Sequence, residues 1–194
     1  YAYPLPSAEE ISSFYSTYTT HHLYKPSFLS KLIDDVTKFL KNKNLTKLFR
    51  HDRTIMVLDF GCGNGNFLTI LSELNVEHIH GFDFDPEAVK CAIDQGYKCF
   101  TNFDELEKNK YDYIFLNHVI EHLPYPKETI TKLIRLLNNN GKIIVRTPNS
   151  NSLLANFFKI QWRGWETPRH LNIFNSKSIN MFNNLKKIIL NSFE

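Results

Sequence analysis

The sequence predicts an α/β domain in which a mainly parallel sheet lies between layers of helices. Three observations predict it. Short, nearly continuous apolar runs recur from residue 54 to residue 148, as strands buried on both faces require. Stretches with apolar residues at helical spacing separate those runs. A glycine-rich turn, Gly61-Cys62-Gly63-Asn64-Gly65, joins the first run to the first such helix.

The elements follow in order. The first fifty residues read as amphipathic helix. Ile11, Phe14, Tyr15 and Tyr18 recur at helical spacing. Pro26-Ser27 opens a second helix, with Ser27 as N-cap and Phe28, Leu29, Leu32, Ile33, Val36, Phe39 and Leu40 on its apolar face. The polar run from Lys41 to Asn44 ends it. Ile55 to Phe60 is the first strand, and the helix after the glycine turn carries Phe67, Ile70, Leu71 and Leu74. Ile79 to Asp83 is the second strand. Asp85-Pro86 then reads as an N-cap followed by proline at the first helical position. That helix stops near Gly96. Tyr97 to Phe100 is the third strand and Tyr113 to Leu116 the fourth. A helix carrying Ile130, Leu133, Ile134 and Leu137 is expected to end at Asn138-Asn139-Asn140-Gly141. Lys142 to Arg146 is the fifth strand. Beyond Pro148 the pattern is irregular, with Phe157, Phe158, Trp162 and Trp165 ahead of a Pro168-Arg169-His170 turn.

Composition narrows the function. The 194 residues suit one domain with a real core rather than two. A net charge of +3 lacks the concentrated basic face expected of a nucleic-acid binder. Cys62, Cys91 and Cys99 form neither a disulfide framework nor paired zinc-ligand spacing, which points to a reducing, cytoplasmic setting. No apolar run approaches the roughly 20 residues of a membrane span. Signal-peptide features are not visible, although the sequence opens on Tyr1 rather than Met.

The glycine turn leaves the backbone bare for close approach of a ligand, and the helix after it favours a carboxylate or phosphate. Asp83 ends the second strand about 20 residues later, where an acidic side chain can accept hydrogen bonds from both ribose hydroxyls of a nucleoside. Asp85 takes the capping duty instead.

Asp59-Phe60-Gly61-Cys62-Gly63-Asn64-Gly65 resembles motif I of the class I S-adenosylmethionine (SAM)-dependent methyltransferases. Gly81-Phe82-Asp83 resembles their motif II. The run from Tyr111 through Asn117, His118 and Glu121 to His122-Leu123 resembles the fourth-strand motif of the ubiquinone-biosynthesis-like branch. The resemblance implies a three-layer Rossmann-like fold in one domain over 1–194. It has a helical cap (1–50), a SAM-binding core (54–148) and a lid with the C-terminal segment (149–194). It further implies that Gly61, Cys62 and Gly63 border the methionine part of SAM, with Asp59 ordering the loop or meeting the amino group. Asp83 binds the ribose, Phe84 is a further cofactor-binding residue, Asn102 or Phe103 flanks the adenine, and Asn117 and His118 line the methionine end. Phe60 either faces the sulfonium or packs in the core. Such enzymes add a sixth and a seventh strand as a hairpin. Here only Ile179 to Glu194 remain for it, with one short apolar stretch, Ile188 to Leu190, so the hairpin is expected to be incomplete.

The flanks, Tyr3-Pro4 through His21 and Trp165 through Leu171, are similar to those of related enzymes in which they cover the substrate pocket. Tyr18, Trp162 and Arg169 are therefore the substrate candidates. His170 and His21 are the candidate catalytic bases, with His118 a further imidazole, because histidine titrates near neutral pH. The expected reaction is O-methylation of a small hydroxylated metabolite or sugar, with no metal.

Three other readings compete with this one. His118-Val119-Ile120-Glu121-His122 formally matches an H-x-x-E-H zinc-hydrolase motif. That chemistry needs both histidines on one continuous helix, and Pro124 and Pro126 interrupt any helix there. A nicotinamide oxidoreductase would show G-x-G-x-x-G, whereas Asn66 occupies the last position. A SAM-binding protein without turnover is separated from an enzyme only by assay.

Overall fold

The computed structural model describes Glu10, Leu45, Thr46, Leu48, Phe49, residues 54–166 and 168–179, Phe182 and Ile188–Leu190. The helices expected between residues 11 and 40, and with them Tyr18 and His21, lie outside the described residues.

The chain alternates as expected. Strand β1 (Met56–Phe60) leads through the glycine turn into helix α1 (Asn66–Glu73), followed by β2 (His78–Phe82) and α2 (Pro86–Asp94). Asp85 caps α2, accepting from the Glu87 N–H at 3.0 Å, and Pro86 opens the helix. Next come β3 (Lys98–Phe100), the short α3 (Phe103–Leu106) and β4 (Tyr111–Asn117). A single 3-10 turn (Ile120–His122) leads to α4 (Pro126–Arg135) and β5 (Leu137–Arg146). The C-terminal segment holds α5 (Leu153–Phe158), α6 (Ser176–Ile179) and β6 (Ile188–Leu190).

The six strands form one sheet in the order β3-β2-β1-β4-β5-β6, and every neighbouring pair is parallel. Consecutive strand residues point to opposite faces, and the core divides accordingly. Leu58, Phe60, Ile114, Leu116, Ile143 and Val145 join Ile130 and Leu133 of α4 on one side. Val57, Phe115 and Ile144 join Leu71 of α1 and Leu45 and Phe49 on the other. The sheet is thus covered on both faces, the three-layer arrangement expected from the sequence. Among the described residues no helix is long and apolar enough to cross a membrane.

One local expectation is corrected, that a helix carries Leu137 and ends at Asn138 to Gly141. Asn138 to Gly141 do not end a helix; they are the first half of β5. The polar run is tolerated because the ladder is irregular there. The register between β4 and β5 shifts between Tyr111 and Tyr113, and Asn138 donates to the Asp112 carboxylate at 2.7 Å. A Cβ on Gly141 would stand 2.7 Å from the Tyr111 carbonyl oxygen, so the backbones meet where only glycine fits. The C-terminal hairpin is the element expected to be incomplete. In the described residues one strand follows β5, and it pairs parallel to it, with Ile143 opposite Ile188. The intervening Phe174, Ile179 and Phe182 pack into the α4 side of the core.

Candidate active site

The carboxyl ends of β1, β2 and β4 converge on the glycine turn. Gly61 and Gly63 have φ of +84° and +51°, so both need the left-handed freedom of glycine. They differ in surroundings. A Cβ on Gly61 would meet Val119 at 2.3 Å, whereas one on Gly63 would meet nothing within 4 Å. Gly61 is therefore pressed against the β4 turn, and Gly63 faces open space. The Gly61 and Cys62 N–H groups both donate to the Phe82 carbonyl, at 2.7 and 2.9 Å, which pins the turn to the end of β2. Gly63 N–H donates to Asp83 Oδ2 at 2.8 Å, and Asp85 N–H donates to Asp83 Oδ1 at 3.1 Å. Asp83 thus holds the turn, and each of its oxygens keeps a second lone pair for a ligand. Cys62 is buried, and its Sγ and that of Cys99 both lie where a Cβ on Gly81 would stand.

Asp59 is buried at the end of β1. Asn117 Nδ2 donates to its Oδ1 at 3.2 Å, and Arg146 Nη1 donates to Asn117 Oδ1 at 3.1 Å. Burial pushes the Asp59 carboxyl up to about 8, against the lowering effect of the Asn117 hydrogen bond. Phe60 settles in the core: it is fully buried and stacked on Phe82 at 4.7 Å, so its ring does not face a sulfonium. Phe84 is 66% exposed and sets its ring edge-to-face on Phe60 and Phe82, offering a bare aromatic surface next to Asp83. Asn102 caps α3 through the Asp104 N–H at 3.0 Å, and Phe103 is partly buried against Phe60.

His118 follows β4 at φ +56°, a conformation rare outside glycine and enriched at functional sites. Its side chain is largely exposed, and its Nδ1 lies 3.5 Å from Oε1 of the buried Glu121. Glu121 Oε2 accepts from Thr147 Oγ at 2.9 Å, and the Glu121 carbonyl accepts from Asn172 N–H at 3.0 Å. The lid docks at this turn. His122 Nδ1 lies 3.0 Å from the Arg169 carbonyl, and Asn172 Nδ2 donates to the Leu123 carbonyl at 2.6 Å. His170 is buried, its Nδ1 2.7 Å from the Gly164 carbonyl and its Nε2 3.5 Å from Glu166 Oε2. Arg169 pairs with Glu166. Trp162 is buried with its ring over Gly164 and edge-on to Trp165.

The family model described as a methyltransferase domain matches residues 27–183, most of the chain. The chain belongs to that family. A curated relative, an uncharacterized protein of Methanocaldococcus jannaschii, is 28% identical over 78% of this chain and 68% of its own. The tRNA U34 carboxymethyltransferase of Aliarcobacter butzleri is 30% identical over 54% of this chain, and the match spans only 37% of that protein. Among solved structures, the plantazolicin methyltransferase BpumL in complex with a desmethyl compound and S-adenosylhomocysteine (SAH) superposes with a TM-score of 0.62. The bound compound there is a monoazolic desmethylPZN analog, and the match is 20% identical, over 94% of this chain and 70% of that one. A SAM-dependent methyltransferase from Archaeoglobus fulgidus has a TM-score of 0.57 at 20% identity, over 75% and 66%. The resemblance read from the sequence is borne out for family and for fold, and SAM is the cofactor of that class.

The methyltransferase brings Asp59, Gly63, Asp83, Phe84 and Asn117 to one end of its sheet. Of the two alternatives for Phe60 the structure shows core packing, and Trp162, expected on the substrate side, is buried against Gly164 and Trp165. His170, expected as a base, is likewise interior to the lid. Sequence reasoning missed Arg146, Thr147 and the joint role of Glu121 with the lid. Arg146 looked like an ordinary strand end; its signal was a charged residue closing an otherwise apolar run. In the sequence the Glu121-His122 pair reads as part of the fourth-strand motif and of a formal zinc motif, not as the dock for Arg169-His170.

Proposed function

We propose that this methyltransferase transfers the methyl group of SAM to an oxygen of a small hydroxylated acceptor. The observation that carries the cofactor half is Gly63. It faces open space beside two strand-end carboxylates, Asp59 and Asp83, with their N–H and amide partners already in place. Those residues fit the cofactor's own chemistry. Asp83 accepts from the ribose hydroxyls, Asp59 meets the amino group, and the exposed face of Phe84 stacks on the adenine, with Phe103 beside it. When bound, SAM supplies a methyl group already activated by its sulfonium leaving group.

The chain's own work is then alignment, exclusion of water and one proton transfer. His118, exposed at the end of β4 and steadied by Glu121, accepts the acceptor's hydroxyl proton at its imidazole. It replaces His170 in that role because His170 is buried in the lid. Arg169, half-buried at the lid's turn, closes over the acceptor. The acceptor oxygen forms the new bond to carbon as the carbon–sulfur pair returns to sulfur, leaving a neutral thioether. The test incubates the protein with SAM and a panel of hydroxylated small molecules and follows SAH. His118→Asn is expected to cut turnover by about 100-fold, the scale of a lost general base, with SAH affinity unchanged. Unchanged turnover in that variant would remove His118 from the mechanism. Formation of N- or C-methylated product would overturn the assignment to oxygen.

A further inference from the structure

We propose that Cys62 and Cys99 are a modification site for small hydroperoxides, forming a reversible disulfide that ties the glycine turn to β3 and weakens cofactor binding.

The topology brings the two sulfurs together. Cys62 lies inside the glycine turn, and Cys99 stands opposite Gly81 in the β2–β3 register. A Cβ on Gly81 would lie 2.6 Å from Cys99 Sγ and 2.8 Å from Cys62 Sγ. Both sulfurs therefore converge on one point, in a small cluster with Leu68 of α1 and Ala92 of α2. Gly81 is not among the glycines with positive φ, so its backbone does not require glycine. The sulfurs require it, because they fill the space that a side chain would take. Both cysteines are free thiols.

The two thiols are not equivalent. Cys62 is buried, whereas Cys99 is half-buried on β3, which ends the sheet order. The hydrogen bond with Cys62 holds the Cys99 thiol below the usual cysteine range, against the opposing effect of burial. The same hydrogen bond pushes Cys62 up, and burial and the nearby Asp59 and Asp83 carboxylates add to it. Cys99 thus meets the oxidant as thiolate, and Cys62 resolves the product. The Cys99 sulfur attacks one oxygen of hydrogen peroxide and becomes a sulfenic acid. The O–O bond breaks, and the other oxygen leaves as hydroxide and takes the proton that Cys99 gave up. The Cys62 sulfur then attacks the sulfenic sulfur. The S–O bond breaks, and hydroxide leaves with the Cys62 proton as a second water. The two thiols lose two electrons and the peroxide gains them. A small dithiol returns them by thiol–disulfide exchange.

The bond acts on the turn. Bonded sulfurs stand about 2.05 Å apart, so closure draws Cys62 toward β3. Cys62 Sγ now lies 3.6 Å from the Gly63 carbonyl, and its S–H is lost on oxidation. The neighbouring Gly63 N–H donates to Asp83 Oδ2 at 2.8 Å, so a shift of the turn disturbs that contact. The effect on affinity rests on the cofactor site proposed above, where Gly63 and Asp83 meet the cofactor. Reducing conditions keep such a pair open, as a switch rather than a structural bridge requires.

The test uses the whole chain and its Cys91→Ser variant, which removes the exposed third thiol. Each is treated with hydrogen peroxide and digested without reduction for mass spectrometry. Calorimetry measures SAH binding before oxidation, after it and after dithiothreitol. The expected result is an intramolecular Cys62–Cys99 peptide pair and a Kd for SAH raised about 10-fold or more. Dithiothreitol should restore the starting affinity. Cys99→Ser should bind SAH as the wild type does and keep that affinity through peroxide, with circular dichroism checking its fold. The peptide map needs no ligand, and SAH binding by the reduced chain tests the cofactor site separately. Absence of the peptide pair from the oxidised, folded chain would overturn the site. So would an equal loss of affinity in Cys99→Ser, or a disulfide that leaves SAH affinity unchanged.

Discussion

Asp59 and Asp83 sit at the ends of adjacent strands and do different physical work. Asp83 is half-exposed and tied to the Gly63 N–H. Asp83→Ala should leave the fold intact and weaken SAH binding by about 1.5–3 kcal/mol, roughly 10- to 150-fold, the worth of hydrogen bonds to a charged group. Calorimetry reads this, and unchanged affinity in a folded variant would remove Asp83 from the site. Asp59 is buried, and its carboxyl is raised from 3.8 to about 8. A carboxyl raised on folding keeps its proton after the unfolded chain has lost it. The native state therefore binds more protons across that window, and stability falls as pH rises from about 4 to 8. Asp59→Asn should flatten this fall, so the variant gains on the wild type toward pH 8. Thermal melts from pH 5 to 9 measure it, and identical slopes would contradict the burial argument. The role of Asp59 as a strand-end acid was legible in the sequence. The Arg146-Asn117-Asp59 chain was not, because it joins residues from three strands whose side-by-side order no local pattern states.

At the scale of elements, β1 to β4, α1, α2 and α4 were legible because each carries its own signal: an apolar run, an Asp-Pro cap, a glycine turn; the short α3 carries none and was not read. The start of β5 was not. Asn138 to Gly141 has the composition of a helix stop, and only the pairing with β4 makes it strand. The close approach at Gly141 gives a direct check. Gly141→Ala places a methyl 2.7 Å from the Tyr111 carbonyl and should cost about 1–3 kcal/mol of stability, as overpacking does. Chemical denaturation measures it. A neutral effect would mean that this stretch is looser than a strand. The lid was legible as aromatic and irregular, but its direction was hidden. Trp162 and His170 look like substrate-facing residues in sequence, and both turn inward, because the 3-10 turn at Ile120–His122 offers the polar groups that the lid needs.

For the molecule as a whole, the sheet order brings the carboxyl ends of β1, β2 and β4 together at one glycine turn, the end of the sheet where open parallel sheets bind ligands. A ligand that binds only the folded state stabilises it by about 2.7 kcal/mol at 100 times its Kd. SAH should therefore raise the melting temperature in proportion to the logarithm of its concentration, while NAD should not. The most direct measurement is calorimetric titration with SAM, SAH and NAD in turn. Saturable binding of the two sulfur nucleosides at one site per chain, with no heat from NAD, is the predicted result. Binding of NAD in their place, or of none of the three to a folded chain, would contradict the account.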